Sequence, residues 1–221
     1  MLHSPILMFL AMPLAAYVIG STPSGVIIAR SKGVDLRKVG SGNVGATNVG
    51  RTLGRKWGYI CFVLDVLKGL LPVLAAGALL GTMHADPLPD APRQSAWLLV
   101  GCGAIMGHVL SFWLRFHGGK GVATGLGVVL GLYPYFTLAG LAALGLWVIV
   151  TLTTRYVCVG SIVAAAAFVP LVIVFNLGRF TQLWPMVAFA AAMCVLIVFL
   201  HRGNIRRLLN GTENKIRSKK A

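Results

Sequence analysis

The chain has 221 residues, of which 57% are hydrophobic and 11% are charged, and its formal net charge is +15. A soluble core of this size cannot bury so much apolar surface, and repeated long apolar runs indicate a polytopic membrane protein. In such a protein the positive charge favours lipid headgroups and phosphorylated ligands as partners over nucleic acid.

Seven apolar segments predict an all-α membrane protein, a polytopic bundle of about seven transmembrane helices. They cover residues 5–29, 57–82, 95–116, 121–133, 136–152, 157–177 and 183–200. The fourth segment is short, and Tyr133-Pro134-Tyr135 separates it from the fifth. An alternative with five spans, in which residues 121–152 are re-entrant, therefore stays open.

Lysine and arginine predict the orientation of these spans. With seven spans, all but three of the 20 lie on one face, the exceptions being Lys68, Arg93 and Arg179. Because cytoplasmic loops carry the excess of positive residues, we expect the N-terminus outside and the C-terminus in the cytoplasm. Residues 1–204 are predicted to form one multipass domain, followed by a basic cytoplasmic tail over 205–221.

A polar interruption, GSTPSG at residues 20–25, lies near the inner end of the first apolar segment. Broken backbone at membrane depth is tolerated only where protein or a cavity satisfies its polar groups. A plain kink is the alternative, because glycine and proline are common in membrane helices.

The most distinctive polar stretch is GSGNVGATNVGR, residues 40–51. Its glycines allow backbone N–H groups to turn toward one bound anion. Further donors come from its polar side chains, which are Ser41, Asn43, Thr47, Asn48 and Arg51. No GK[ST] follows and no strand precedes, so it is neither a Walker loop nor a dinucleotide fingerprint. A flexible connector between two helices is the alternative reading.

Two further polar groups occur later in the chain. Asp65 and Lys68 stand three residues apart on the second apolar segment, where they can form an ion pair. In 117–121, HGGKG, the glycines let the backbone approach an anion and Lys120 supplies a point charge. An interfacial lysine is the default explanation for a single lysine at a helix end, but the three glycines around Lys120 favour contact with a ligand. His108 lies deeper, where an ionisable group needs a partner, so a role in a site is favoured.

No metal or cofactor site is predicted. The four cysteines stand singly in apolar segments without paired spacing, at Cys61, Cys102, Cys158 and Cys194. We therefore interpret them as small buried residues.

Taken together, GSTPSG, GSGNVGATNVGR and GHVLSFWLRFHGGKGVAT, with HRGNIRRL near the C-terminus, resemble one family. It is the bacterial membrane glycerol-3-phosphate acyltransferase family that takes its acyl group from acyl phosphate. The resemblance implies transfer of a fatty acyl chain to the sn-1 hydroxyl of glycerol 3-phosphate, giving lysophosphatidic acid and phosphate. This is the first acylation of phospholipid synthesis. It also implies an active site on the cytoplasmic face of the inner membrane, among membrane lipids, with no metal, no cofactor and no obligate protein partner.

The resemblance also assigns site residues, motif by motif. It places along the phosphate site Ser41, Asn43, Thr47 and Arg51, with His108, Lys120 and Asn204 converging there. Of these we expect Ser41, His108 and Lys120 to act in catalysis. Gly118, Gly119 and Lys68 are expected to bind substrate phosphate.

The chemistry of acyl phosphate suits such a site. Phosphate is a good leaving group, so the protein mainly has to position two anions and stabilise charge. No carboxylate follows His108 at the spacing H-x4-D, because residues 109–113 are VLSFW. We therefore expect a substrate phosphate to help take the hydroxyl proton, with His108 assisting.

An organic-phosphate transporter is the competing class, since it also needs basic clusters in a helical frame. Transporters usually hold substrate at the midplane between repeated halves. No convincing internal repeat is present, and the polar clusters are predicted on one face, which favours the enzyme.

The predicted orientation can be tested at Ser41. With the native cysteines replaced, a thiol introduced by Ser41→Cys should resist impermeant reagents in intact cells and react in inverted vesicles. Labelling from outside the cell would contradict both the orientation and the cytoplasmic site.

Overall fold

The computed structural model describes residues 4–83, 88–179 and 181–216, and these ranges contain helices and no strand. Residues 217–221 of the predicted tail lie outside the described residues. The chain divides into two compact units, Met1–Thr137 and Leu138–Ala221. The single domain expected over 1–204 stays a prediction.

The first unit is built around three long apolar stretches. Its helices are α1 (Met12–Gly20), which continues a π-helical turn (Leu7–Ala11), α2 (Ser24–Arg30), α3 (Ala46–Leu53), α4 (Arg55–Leu80), α5 (Ala91–Val109) and α6 (Val122–Gly131). A short 3-10 turn (Phe112–Leu114) follows α5.

The second unit begins within the first turn of the next helix. Its helices are α7 (Thr137–Thr154), α8 (Val157–Phe175), α9 (Trp184–Leu200) and α10 (Arg202–Leu209), with a 3-10 turn (Leu177–Arg179) after α8. Within this unit Trp147 Nε1 donates to Ser161 Oγ at 3.1 Å, which ties α7 to α8.

Five stretches of the described chain are long and apolar enough to cross a membrane. They are Leu7–Arg30, Arg55–Leu80, Ala91–Leu114, Thr137–Thr154 and Val157–Phe175. A sixth candidate is the pair α9 and α10, which is bent by 51°. The ten residues of α6 extend only about 15 Å, roughly half the hydrocarbon thickness. The seven-span count and the orientation stay predictions.

The separation expected at Tyr133-Pro134-Tyr135 is confirmed. Helix α6 ends at Gly131 and α7 begins at Thr137. The apolar run 121–152 is therefore two helices in the structure.

Glycines allow the helices of the first unit to approach closely. A side chain at Gly107 on α5 would collide with the carbonyl of Tyr17 on α1, and one at Gly127 on α6 with the carbonyl of Val66 on α4. Small residues at such contacts are typical of helix packing in membranes. The polar segments of the first unit are thus mounted on tightly packed helices.

Candidate active site

The interruption predicted in the first span is confirmed, since Ser21, Thr22 and Pro23 separate α1 from α2. Two of its carbonyl groups accept hydrogen bonds from side chains elsewhere in the unit. Ser111 Oγ donates to the carbonyl of Ser21 at 2.6 Å, and Lys68 Nζ donates to that of Thr22 at 2.8 Å. The break is therefore held by protein groups, as membrane-embedded backbone requires.

Behind this break lie three buried ionisable side chains. The predicted ion pair is confirmed, with Lys68 Nζ at 2.9 Å from Asp65 Oδ1. His108 Nδ1 lies 3.8 Å from the same carboxylate oxygen. The exposed fractions are only 2% for Asp65, 7% for Lys68 and 8% for His108. The ammonium of Lys68 thus faces Asp65 and the broken span, which favours a role other than direct phosphate binding.

The first glycine-rich segment, residues 40–51, forms the end of the loop that follows α2 and the first part of α3, which begins at Ala46. Asn48 is buried at its centre, with Nδ2 within 3.2 Å of three backbone carbonyls, those of Leu36, Val39 and Asn43. Its Oδ1 accepts the backbone N–H of Ser41 at 2.9 Å. Gly40, with φ of 62°, allows the chain to turn around this amide.

An apolar cluster beneath the loop anchors it to the spans. Its buried residues are Val26, Ile28, Ala29, Leu36, Val44, Val49, Cys61 and Leu114. They come from α2, the loop, α3, α4 and the turn after α5, so the cluster joins the first glycine-rich segment to the polypeptide that leads into the second.

The predicted ligands of this segment lie mainly on its outer side. Ser41, Thr47 and Arg51 are exposed. Thr47 and Arg51 are four residues apart on α3 and so share one helix face. Asn43 Oδ1 accepts the N–H of Gly45 at 2.9 Å, at the start of α3. The segment therefore presents hydroxyl and guanidinium groups on a fixed backbone.

The second glycine-rich segment, residues 117–121, folds back onto the end of α5. Gly118 N donates to the carbonyl of Val109 at 2.9 Å, and Gly119 N to that of His108 at 3.1 Å. A side chain at Gly119 would collide with Nε2 of His108. The imidazole therefore lies directly against this turn, and Lys120 is the next residue along the chain.

A small cavity lies where these parts meet. It is about 10 Å³ in volume, room for roughly one water molecule. Its lining consists of the break and the first two residues of α2 (21–25), Val44, Asp65, Lys68, His108, Ser111, Leu114 and Gly119. Both glycine-rich segments thus contribute to one cavity, together with the broken span and the buried ionisable groups.

Asn204, the remaining predicted site residue, belongs to the second unit. It lies on α10 and is buried, and its Nδ2 donates to Glu213 Oε1 at 2.9 Å. Arg207 Nε donates to the other oxygen of the same carboxylate at 2.8 Å. Glu213 was not among the predicted site residues, although it is the only acidic residue after position 90.

Two more residues near the site could not be singled out from the sequence. Ser111 lies within the quoted motif of residues 107–124, but among its apolar neighbours nothing marks it as a donor, and Asn48 is one of several equivalent donors. Across the described ranges, no group of three or more His, Cys, Asp and Glu side chains is placed to hold a metal ion.

The whole chain was compared with known families and structures. The family profile described as glycerol-3-phosphate acyltransferase matches residues 10–211. The chain belongs to this family. As a member it is an integral membrane acyltransferase of phospholipid synthesis, which confirms the family inferred from the ordered motifs.

Individual relatives agree with this assignment. The chain is 47% identical to the glycerol-3-phosphate acyltransferase of Geobacter sulfurreducens, over 92% of this chain and 95% of the relative. It is 45% identical to that of Geotalea daltonii, over 91% and 94%.

Solved structures are similar as well. One is PlsY, an integral membrane glycerol 3-phosphate acyltransferase, in its glycerol 3-phosphate form, at 38% identity and a TM-score of 0.82. Another is the lysophosphatidic acid form of PlsY, at 36% identity and a TM-score of 0.80. Each comparison covers 94% of this chain and 95% of the other.

Asn48 should be essential to the loop even though it faces inward. Asn48→Ala leaves the carbonyls of Leu36, Val39 and Asn43 without their amide donor, and an unsatisfied buried polar group costs roughly 1–3 kcal/mol. We expect faster hydrogen exchange at Ser41 and at least a tenfold loss of acyltransferase activity.

Ser31→Ala is the control for this substitution. It removes a single hydrogen bond, to the carbonyl of Ile28, from the same part of the chain. Exchange at Ser41 should then match the wild type. Equal exchange in Asn48→Ala and wild type would show that the amide does not hold the loop.

Proposed function

We propose that this protein transfers a fatty acyl group from acyl phosphate to the sn-1 hydroxyl of glycerol 3-phosphate. The products are lysophosphatidic acid and inorganic phosphate. The observation that carries the proposal is that both glycine-rich segments lie beside the broken span, where Val44 of the first and Gly119 of the second line one small cavity. Family membership, and relatives whose structures are described with glycerol 3-phosphate and with lysophosphatidic acid, support it. They favour the acyltransferase over a transporter.

Two anions require two sets of donors. We assign to one phosphate the outer side of the first glycine-rich segment, namely Ser41, Asn43, Thr47 and Arg51. The guanidinium of Arg51 offers a planar fork that fits a phosphate group. We assign to the second phosphate the ammonium of Lys120. The N–H groups of Gly118 and Gly119, which were expected to bind that phosphate, donate instead to the carbonyls of Val109 and His108. Asn204 is assigned a further phosphate contact by the family resemblance.

The reaction needs little more than positioning and charge stabilisation. The glycerol hydroxyl oxygen forms a bond to the acyl carbon, and the bond from that carbon to the phosphate oxygen breaks. The departing phosphate takes up the hydroxyl proton, so no side chain has to act as a strong base. His108, which lies beneath the turn before Lys120, is assigned an assisting hydrogen bond. Ser41 and Lys120 stabilise the charge that develops on oxygen.

We place the reaction at the cytoplasmic face of the bacterial inner membrane. Most of the chain's cations are predicted on that face, close to anionic headgroups and to soluble glycerol 3-phosphate. The apolar helices provide a setting for the acyl chain.

The identity of the donor tests the proposal directly. Purified protein in detergent should convert palmitoyl phosphate and labelled glycerol 3-phosphate to a labelled lipid product. Palmitoyl-CoA should give no product, and chelators should leave the initial rate unchanged. Turnover with acyl-CoA alone would refute the donor assignment. A strict requirement for a divalent metal would contradict the expectation that no metal takes part.

Arg51 and Lys120, the proposed phosphate-binding cations of the two segments, should each be required for full acyltransferase activity. Contacts to charged groups are worth roughly 1.5–3 kcal/mol, so Arg51→Ala and Lys120→Ala should each lower activity by about one to two decades. Arg51→Lys should recover little, because a point charge replaces a planar fork. Initial rates per folded molecule are the measurement.

Lys38→Ala is the matched control for these variants. Lys38 is an exposed cation of the same loop, whose pairing with Asp35 at 3.7 Å is worth little at the surface. Its rate should stay within about twofold of wild type. Normal rates in both Arg51→Ala and Lys120→Ala would rule out the phosphate assignments.

A further inference from the structure

The buried ionisable side chains of the first unit have a role of their own. Asp65 and Lys68 lie on α4 and His108 on α5, and each is more than nine-tenths buried. An intramembrane charge is costly and is retained where it serves a function. Their contacts extend in two directions, toward the broken first span and toward the second glycine-rich segment.

The first direction runs through Lys68. Its ammonium donates to the carbonyl of Thr22 and pairs with Asp65, so one side chain joins α4 to the break between α1 and α2. The flanking carbonyl, that of Ser21, is held by Ser111 from the segment after α5. The break is therefore fixed from both neighbouring parts of the unit.

The second direction runs through His108. One edge of the imidazole faces Asp65, with Nδ1 3.8 Å from Oδ1, and the other nitrogen lies against Gly119. The carbonyl of His108 accepts the N–H of Gly119. The position of this ring thus sets the position of the turn that leads into Lys120.

We propose that Asp65 and Lys68 are positioning residues, which hold the broken span and His108 so that the Gly118–Lys120 turn presents the ammonium of Lys120 to substrate phosphate. This inference rests on the function proposed for that turn. It assigns Lys68 to the support of the site, in place of the direct phosphate contact expected from the sequence.

Lys68→Met tests this proposal, because it keeps the length of the side chain and removes the ammonium. We expect at least a tenfold loss in kcat, and at least tenfold faster hydrogen exchange of the amides of Gly118 and Gly119. A positioning role also predicts a higher KM for whichever of the two substrates, glycerol 3-phosphate or acyl phosphate, binds its phosphate at this turn, since a displaced Lys120 holds that phosphate less well.

Trp97→Phe is a matched control on the same two helices. It removes a different buried hydrogen bond, which joins α5 to α4. This bond runs from Trp97 Nε1 to the carbonyl of Val73 at 2.7 Å. It should lower the thermal midpoint while kcat, KM and the exchange of Gly118 and Gly119 stay within about twofold of wild type. If Lys68→Met merely matches Trp97→Phe in all of these measurements, the proposal fails.

The double variant Asp65→Asn/Lys68→Met separates positioning from charge compensation. It removes both charges of the ion pair together, so the thermal midpoint should recover relative to Lys68→Met. Under our proposal kcat stays low and exchange at the turn stays fast, because the carbonyl of Thr22 still lacks its ammonium donor and His108 now also lacks the neighbouring carboxylate. Recovery of kcat in the double variant would overturn it.

The exchange measurement keeps this test independent of the reaction. If wild-type protein fails to use acyl phosphate, the proposed donor is wrong, yet exchange at Gly118 and Gly119 still reports whether Lys68 supports the turn. Unchanged protection in a folded Lys68→Met protein would overturn the positioning role whatever the donor.

Discussion

The bond from the Lys68 ammonium to the carbonyl of Thr22 is the interaction on which the site depends. Inside a membrane a helix can be interrupted only if other groups satisfy the freed backbone. A neutral donor such as Ser111 satisfies one carbonyl without burying a charge, whereas an ammonium brings a charge that must itself be paired. Asp65 provides that pairing at 2.9 Å. The broken span and the buried carboxylate are therefore one structural solution, and His108 lies beside it.

Both glycine-rich segments become rigid by the same means, although they use different groups. In the first, a buried side-chain amide, that of Asn48, gathers the backbone of residues 36–43 around itself. In the second, the end of α5 receives the N–H groups of Gly118 and Gly119. These bonds fix the backbone, so the side chains of Arg51 and Lys120 that we propose as phosphate ligands need little rearrangement as charge develops.

The sequence predicted an all-helical membrane protein, the break within residues 20–25, the ion pair and the family, because each depends on local pattern or on the order of motifs. It could not single out Asn48, since the direction of one amide among several is decided by the fold of the loop. The bond from Lys68 to Thr22 joins residues 46 positions apart, and the contact of Asn204 with Glu213 needs the chain to turn after α10. Such partners follow from packing, which periodicity does not encode.

Helix α3 shows how one short motif can anchor the loop and also expose the side chains that we propose as phosphate ligands. Its eight residues make about two turns, so Thr47 and Arg51 share the outer face while Asn48 and Val49 point inward. Adjacent positions in the sequence thus face opposite sides, one toward the outer side, where we propose that substrate binds, and one toward the core. A loss of activity alone does not distinguish them, because moving the helix also moves Arg51. Protection of the loop amides does, since only the inward residues hold the backbone in place.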